Sequence, residues 1–573
     1  MNVLITPLRR FFNLLKVDKK DIFSIYLYAL FNGVLALTIP LGIQAIISFI
    51  TAGQVSSSWI LLVIIVVIGI ALSGVMQIMQ VTITENLQQK IFTRSAFEFA
   101  YRIPRIKNEA LEGAYMPELT NRFFDTLTIQ KGLPKILMDF SSAALQIFFG
   151  VILLSLYHPF FIMFSFALLL FIYLIFRFTT PKGLRTSIKE STYKYEVAHW
   201  LEEIARSRST FKLAGSTPMP LAKTDEKVQN YLSSRKAHFK TLLFQFMNLV
   251  TFKILIASGL LIVGGLLVMN QEMNIGQFVA AEIIIILILA SVEKLILSIE
   301  TIYDVLTAIE KVGSVTDLEL ESDQEEPVSA SWNSGIALNI SELSYQFPNA
   351  AQPTIKNISV DLPAGSKLCI SGSHGSGKSL LLQLLSGLYD SYQGSISYNN
   401  NSLRNINKEA LRDQIGDNLS REDIFMGSLL ENITMGKPHI KQNDVHEVCS
   451  LLKLNDSTPA LRDGLQTQLL PEGKNLPRSV RIKIMLARAI VGLPKLILLE
   501  DNLNELQVHE RNRLIDYLLE NGKDSTIITI SNNPEIAAKF GRVLVIEHGE
   551  MLALGNMAEL KKENWFKSVF QSA

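Results

Sequence analysis

The stretch that decides the fold of the C-terminal part of the chain is Gly372-Ser373-His374-Gly375-Ser376-Gly377-Lys378-Ser379. It matches the phosphate-binding pattern G-x-x-x-x-G-K-[ST] at every fixed position. A short apolar strand, 367–370, precedes it, and a helical run that begins with Leu380 follows it. In this context the glycines let backbone N–H groups converge on phosphate oxygens at the positive end of a helix.

Two side chains of this phosphate loop (372–379) extend the prediction from phosphate to metal. Lys378 can reach the outer phosphates of a nucleotide, and the Ser379 hydroxyl can sit on Mg²⁺. The alternative is a glycine-rich turn that does not bind phosphate and matches the pattern by chance. The strand before the loop and the helix after it argue against that alternative.

The composition separates the chain into two parts. Of its 573 residues 48% are hydrophobic, the mean hydropathy is +0.26, and the apolar residues are concentrated before about residue 300. The net charge of +1 gives no bulk attraction to nucleic acid, so we expect no nucleic-acid partner. Cys369 and Cys449 lie outside any CxxC or His-rich setting, so we expect both cysteines to be small residues buried in the core.

The N-terminal part carries six apolar stretches, each long enough to cross a bilayer and so to contact membrane lipid. They lie near 23–50, 58–84, 136–157, 159–179, 245–269 and 275–298. Lys and Arg are absent from the three short loops between paired stretches, but they are frequent at the N-terminus and in the two long connections. The positive-inside rule therefore predicts that both termini and both long connections are cytoplasmic.

Three charged residues fall inside the predicted spans: Lys253, Glu282 and Glu293. Ionisable groups within a membrane are costly and usually face a cavity or a partner. We expect Lys253 and Glu293 to pair, since they lie at similar depth on neighbouring antiparallel helices, or else to extend beyond the bilayer. Glu282 is the better cavity-lining candidate because apolar residues follow it directly.

We predict a six-helix transmembrane domain over 1–315, an acidic linker over 316–332, and an α/β nucleotide-binding domain over 333–573. This order resembles a half-size ABC exporter, of the type I secretion or bacteriocin-export kind. Matching stretches follow the phosphate loop in the family's order: 431–433 (ENI), 464–467 (GLQT), 486–489 (LARA) and the apolar strand 496–499 with Glu500 and Asp501. The resemblance implies ATP and Mg²⁺ as cofactors, adenine stacking on Phe347, and Glu500 with Ser379 as metal ligands.

The chain departs from the family at the positions that support hydrolysis. The signature segment, L-S-G-G-Q in the family, reads Leu476-Pro477-Arg478-Ser479-Val480, so both glycines are absent and Pro477 lacks an N–H. Ser420 occupies the position of the family's glutamine, which approaches Mg²⁺ and the attacking water. Asn532 replaces the switch histidine and cannot carry a proton at neutral pH. The acidic pair is inverted, which places the shorter Asp501 at the position of the catalytic base.

Three interpretations stay open at this point: a still-active ATPase, retained ATP binding with weak or absent hydrolysis, and loss of nucleotide binding. By the resemblance, each ATP site joins one subunit's phosphate loop to the other's signature segment. The chain is therefore expected to act as a homodimer, or as a heterodimer with another half-transporter. We expect an exporter in a bacterial inner membrane, with a periplasmic adaptor and an outer-membrane channel as partners. The alternative is a non-hydrolysing, ATP-responsive scaffold or regulatory subunit.

Overall fold

The structure is a computed structural model, and it describes residues 5–51, 57–111, 115–321, 332, 334–419, 424–454 and 461–570. The chain separates into two compact units. The first comprises residues 1–106 and 113–319, and the second comprises 107–112 and 320–573. The second unit therefore includes a short piece of the first long connection, in addition to the C-terminal part.

The first unit is helical. Its helices are α1 (Ile5–Val17), α2 (Lys19–Ala36), α3 (Thr38–Thr51), α4 (Ser57–Arg102), α5 (Met116–Asn121), α6 (Asp125–Ser155), α7 (Phe160–Arg206), α8 (Arg208–Leu213), α9 (Met219–Met269) and α10 (Ile275–Thr316). Within the described residues, six helical segments are long and apolar enough to cross a membrane, with α2 and α3 together forming the first. The predicted number of spans is confirmed.

Most helices continue far beyond the predicted apolar stretches. The helix α9 has 51 residues, about 77 Å at 1.5 Å per residue, whereas a bilayer core is about 30 Å thick. The additional turns are polar, so a hydropathy criterion misses them.

The first span is broken at Leu37, between α2 and α3, where one continuous stretch was predicted. Pro40 has no N–H to bond to the carbonyl of Ala36, and the Thr38 hydroxyl bonds to the carbonyl of Leu35 at 2.6 Å. The two together end one helix and begin the next.

Charged side chains connect the helices of the first unit, and the predicted pair is confirmed. Lys253 Nζ on α9 lies 2.5 Å from Glu293 Oε2 on α10. The next residue, Lys294, lies 3.0 Å from Asp139 on α6. These two consecutive residues of α10 thus bind it to α9 and to α6 respectively.

The second unit is an α/β domain. Its strands are β1 (Leu338–Tyr345), β2 (Ile355–Leu362), β3 (Lys367–Gly372), β4 (Gln393–Tyr398), β5 (Asn401–Ser402), β6 (Ile415–Asp417), β7 (Gly427–Ser428), β8 (Gln468–Leu469), β9 (Leu496–Leu499), β10 (Thr526–Ile530), β11 (Arg542–Glu547) and β12 (Glu550–Gly555). Its helices are α11 (Lys378–Leu385), α12 (Lys408–Asp413), α13 (Leu429–Thr434), α14 (Gln442–Leu451), α15 (Arg478–Ile490), α16 (Val508–Asn521), α17 (Pro534–Lys539), α18 (Met557–Leu560) and α19 (Phe566–Val569).

The main sheet of this domain has six strands in the order β12-β11-β3-β10-β9-β6. The five strands from β11 to β6 pair in parallel, whereas β12 pairs antiparallel to β11. A second sheet has the order β2-β1-β4-β5 and is antiparallel. Every residue of β9 and of β10 is buried, which is why these strands read as unbroken apolar runs in the sequence. The parallel strands place their carboxyl ends at one edge of the sheet, where the site lies.

Candidate functional site

The phosphate loop connects β3 to α11, as predicted. Gly372, Gly375 and Gly377 have φ values of +151°, +78° and +98°. A Cβ on Gly372 would lie 2.0 Å from the carbonyl oxygen of Ile546, so glycine is required there for space as well as for conformation. His374 is exposed in the loop, and the Leu380 side chain is buried beneath it.

Lys378 forms hydrogen bonds to the backbone of its own loop. Its Nζ donates to the carbonyl oxygens of Gly372 at 2.8 Å and of Ser373 at 2.6 Å. Burial lowers the pKa of Lys378, although the nearby carboxylates of Asp501, Glu547 and Glu500 oppose that shift. The ammonium therefore already lies over the part of the loop where phosphate oxygens are expected.

The residues predicted to hold a metal ion come together. Ser379 Oγ donates to Glu500 Oε2 at 3.0 Å, and the backbone N–H of Glu500 donates to Asn418 Oδ1 at 2.7 Å. Hydroxyl and carboxylate oxygens are the ligands that Mg²⁺ prefers. The Ser376 hydroxyl, 2% exposed, has no hydrogen-bond partner among the described residues. A phosphate oxygen would supply the missing acceptor, so the loop fits a Mg²⁺–nucleotide.

Asp501 follows Glu500 at the same edge of the sheet. Asn504 Nδ2 donates to Asp501 Oδ1 at 2.8 Å. The pKa of Asp501 is raised to about 6, mainly by burial and also by the carboxylates of Glu500 and Glu505, whereas Asn504 and Lys378 oppose the shift. A carboxyl group with this pKa can act as a base near neutral pH.

Asn532 lies against the phosphate loop after β10. Its Oδ1 accepts from the backbone N–H of Gly372 at 3.0 Å, and its Nδ2 donates to the carbonyl of the same residue at 2.9 Å. Both polar atoms of the amide are thus used on one backbone unit. Asn532 therefore braces the loop through one donor and one acceptor of its amide.

One acidic residue at the site was missed in the sequence. The Ser373 hydroxyl donates to Glu547 Oε1 at 3.0 Å. Glu547 ends β11, which pairs in parallel with β3, so its carboxylate reaches the start of the loop. The general rule that ligands bind at the carboxyl ends of parallel strands could have identified it.

Phe347, predicted to stack on adenine, belongs to an aromatic cluster at the end of β1. Its ring is edge-to-face with Tyr345 at 5.1 Å and with Tyr389 at 6.0 Å between centroids. The structure thus fixes the ring, whereas its adenine contact stays a prediction. Ser420, predicted near the metal, lies outside the described residues.

The signature segment surrounds the start of α15. Pro477 is the N-cap and Arg478 the first helical residue. Leu476 and Val480 are buried in the core, whereas Arg478 and Ser479 are exposed. Arg478 Nη2 lies 2.9 Å from Glu505 Oε1, a residue of the loop that follows Asp501. The two buried apolar side chains anchor the segment, and its exposed polar part faces away from the core.

Two family models match the chain. Residues 355–504 match the ABC transporter family, and residues 22–292 match the ABC transporter transmembrane region. The chain is similar in fold to a bacterial Atm1-family ABC exporter with ATP bound, with a TM-score of 0.86 and 16% sequence identity over 96% of this chain and 97% of that one.

Curated relatives match at low identity. The transport/processing ATP-binding protein ComA of Streptococcus pneumoniae is 23% identical over 78% of this chain and 62% of its own length. The lactococcin transport/processing protein LcnC-like of Lactococcus lactis is 24% identical over the same shares. The uncharacterized ABC transporter ATP-binding protein YfiB of Bacillus subtilis is 27% identical over 46% of this chain and 45% of its own length. The chain thus spans about half to two thirds of these relatives. The chain therefore carries a transmembrane region and a nucleotide-binding domain of the ABC transporter kind, in this order.

Proposed function

We propose that the chain is the ATP-binding half of a dimeric membrane exporter and that it hydrolyses ATP slowly. One observation carries the proposal. The phosphate loop, Lys378 and the Ser379–Glu500 contact have the arrangement expected of a Mg²⁺–nucleotide site, whereas the hydrolytic positions hold Asp501 and an Asn532 that is hydrogen-bonded to Gly372. Binding and hydrolysis are therefore expected to separate in this chain.

The chemistry expected of each residue follows from its position. Backbone N–H groups of 373–379 and the Ser376 hydroxyl bind phosphate oxygens, and Lys378 neutralises the outer ones. Ser379 and Glu500 hold Mg²⁺, which would supply charge neutralisation when bound. Asp501 accepts the proton of the attacking water, but it is one methylene shorter than the family's glutamate. An imperfectly placed base and a missing proton carrier cost of order 10²–10⁴ in rate each, and such losses do not simply multiply.

The relatives suggest the type of cargo. Two of them are named for transport and processing, one of lactococcin, so we propose a peptide exporter in a bacterial inner membrane with both termini cytoplasmic. Pairing with a second copy or with another half-transporter would complete each ATP site with a signature segment. If the exporter is of the type I secretion kind, we propose a periplasmic adaptor and an outer-membrane channel as its partners.

A second candidate is a non-hydrolysing subunit that changes shape when ATP binds. The two hydrogen bonds of Asn532 to Gly372 favour it, because they hold the amide on the loop backbone and an amide, unlike a histidine, cannot carry a proton at neutral pH. It predicts tight nucleotide binding with no turnover at any pH.

The test is ATP turnover by the purified chain in lipid, compared with Lys378→Ala and with a nucleotide-binding assay. Slow turnover that Lys378→Ala abolishes supports the exporter proposal. Binding that is lost in Lys378→Ala, with turnover no higher than in that variant, supports the second candidate. Absence of nucleotide binding by the native chain overturns both.

A further inference from the structure

Asn418 is a buried amide that follows β6, the last strand in the order of the main sheet. Its side chain is only 2% exposed. Its Oδ1 accepts from the backbone N–H of Glu500 at 2.7 Å, and Glu500 is the carboxylate proposed above as a ligand of Mg²⁺. The amide therefore bonds to the residue at which the chain leaves β9 and enters the site.

This hydrogen bond takes the place of a regular bond in the parallel ladder between β6 and β9. Along that ladder the N–H of Leu496 donates to the carbonyl of Gln414 at 3.1 Å, and the N–H of Asn418 donates to the carbonyl of Leu498 at 3.3 Å. The next bond of a regular parallel ladder would join the N–H of Glu500 to the backbone carbonyl of Asn418. The side chain of Asn418 accepts it instead, so the backbone of Glu500 is held by one side chain.

Folding stability does not account for an amide at this position. The second polar atom of Asn418, Nδ2, is buried and has no hydrogen-bond partner among the described residues. A buried donor without a partner costs at least as much as one hydrogen bond contributes. Leucine, of similar size, would bury no such donor, and it would leave the N–H of Glu500 to the backbone carbonyl of residue 418. The domain should therefore fold as well with leucine there.

We propose that Asn418 is a positioning residue of the metal site. By holding the backbone of Glu500, it keeps the Glu500 carboxylate at the Ser379 hydroxyl, 3.0 Å away. This inference rests on the nucleotide-binding function proposed above. A residue that orients a metal ligand through a hydrogen bond typically changes metal affinity 10–100-fold when it is removed. The Asn418 side chain makes no hydrogen bond to the phosphate loop in the described part of the chain, so metal-free nucleotide binding should not depend on it.

The test uses Mn²⁺, a paramagnetic substitute for Mg²⁺, on the full-length chain in lipid. With the chain in excess over β,γ-imido-ATP, electron paramagnetic resonance gives the Kd of Mn²⁺. Asn418→Leu should raise this Kd about 10- to 100-fold, whereas its affinity for the nucleotide in EDTA should not change. The matched control is Asn407→Leu, because Asn407 Oδ1 also accepts a backbone N–H, that of Ala410 at 2.9 Å, but at the start of α12. The control should leave the Kd of Mn²⁺ unchanged.

A second variant separates positioning from stability. Asn418→Asp keeps the acceptor and adds a negative charge, so its Kd for Mn²⁺ should not rise, whereas burial of the carboxylate should lower the midpoint of thermal unfolding. Asn418→Leu should show the reverse, with weaker Mn²⁺ binding and a midpoint no lower than that of the native chain. A purely structural role would move both properties together.

Three results would overturn this inference alone: an unchanged Kd of Mn²⁺ in Asn418→Leu, a higher Kd in Asn418→Asp, or failure of Asn418→Leu to fold. Absence of nucleotide binding by the native chain would overturn the proposed function, and this inference with it. The nucleotide measurement in EDTA on the native chain therefore distinguishes the two failures.

Discussion

The buried ion pair between Lys483 on α15 and Glu510 on α16 should be among the most sensitive points of the nucleotide-binding domain. Lys483 Nζ lies 2.7 Å from Glu510 Oε1, and the two side chains are 10% and 8% exposed. Removing one partner of a buried pair costs about 3–5 kcal/mol, since it leaves an uncompensated buried charge. Lys483→Met should therefore destabilise the contact between the helix that begins at Arg478 and the helix that follows Asp501.

A matched control is the pair between Lys539 on α17 and Asp516 on α16. Lys539 Nζ is also 2.7 Å from Asp516 Oδ1, but these side chains are 33% and 53% exposed. Exposed pairs contribute about 0.2–1 kcal/mol, so Lys539→Met should have little effect. Because the two pairs have equal distances, any difference between the variants measures burial.

Amide hydrogen exchange on the full-length chain in lipid gives the comparison. Protection of the α15 and α16 amides should fall about 10²–10⁴-fold in Lys483→Met and at most about fivefold in Lys539→Met. The double variant Lys483→Met/Glu510→Met should regain most of the protection, because two apolar side chains can replace a buried pair at little cost. Equal losses in the two single variants would refute the reasoning.

Three further predictions concern the phosphate loop and its surroundings. Any ATP turnover should rise with pH through about 6, where Asp501 ionises, and a pH–rate profile of Asp501→Asn should lose that step. Asn532→Ala removes two hydrogen bonds to Gly372, about 1 kcal/mol each, and should weaken binding of a fluorescent ATP analogue about 10- to 30-fold; unchanged affinity would contradict the bracing role. Gly372→Ala places a Cβ 2.0 Å from the carbonyl oxygen of Ile546, so it should abolish binding of the same analogue. The control is Gly375→Ala, whose Cβ would meet no atom within 4 Å, and it should weaken binding less.

The sequence was sufficient where one local pattern determines the structure. The phosphate loop, its strand and its helix follow from a glycine spacing that few other structures need. Counting residues along two antiparallel helices was enough to pair Lys253 with Glu293. The length of the apolar stretches was enough to identify the six spans.

The remaining features depend on contacts that are distant in the chain. The bonds of Asn532 to Gly372 join residues 160 positions apart, and nothing near either residue predicts them. Glu547 reaches Ser373 only because β11 lies beside β3 in the sheet. The ends of the long helices could not be located for another reason: their polar composition carries no hydropathy signal.

The brace on the phosphate loop has a kinetic consequence. Three side chains, Lys378, Asn532 and Glu547, hold the loop through hydrogen bonds to its own residues. A ligand that enters an ordered loop loses little affinity to ordering entropy. Differences in affinity among related complexes arise mostly from dissociation, so such a loop favours long residence times. Combined with slow hydrolysis, a long residence time would make the state of this chain depend on whether ATP is bound more than on how fast ATP is hydrolysed.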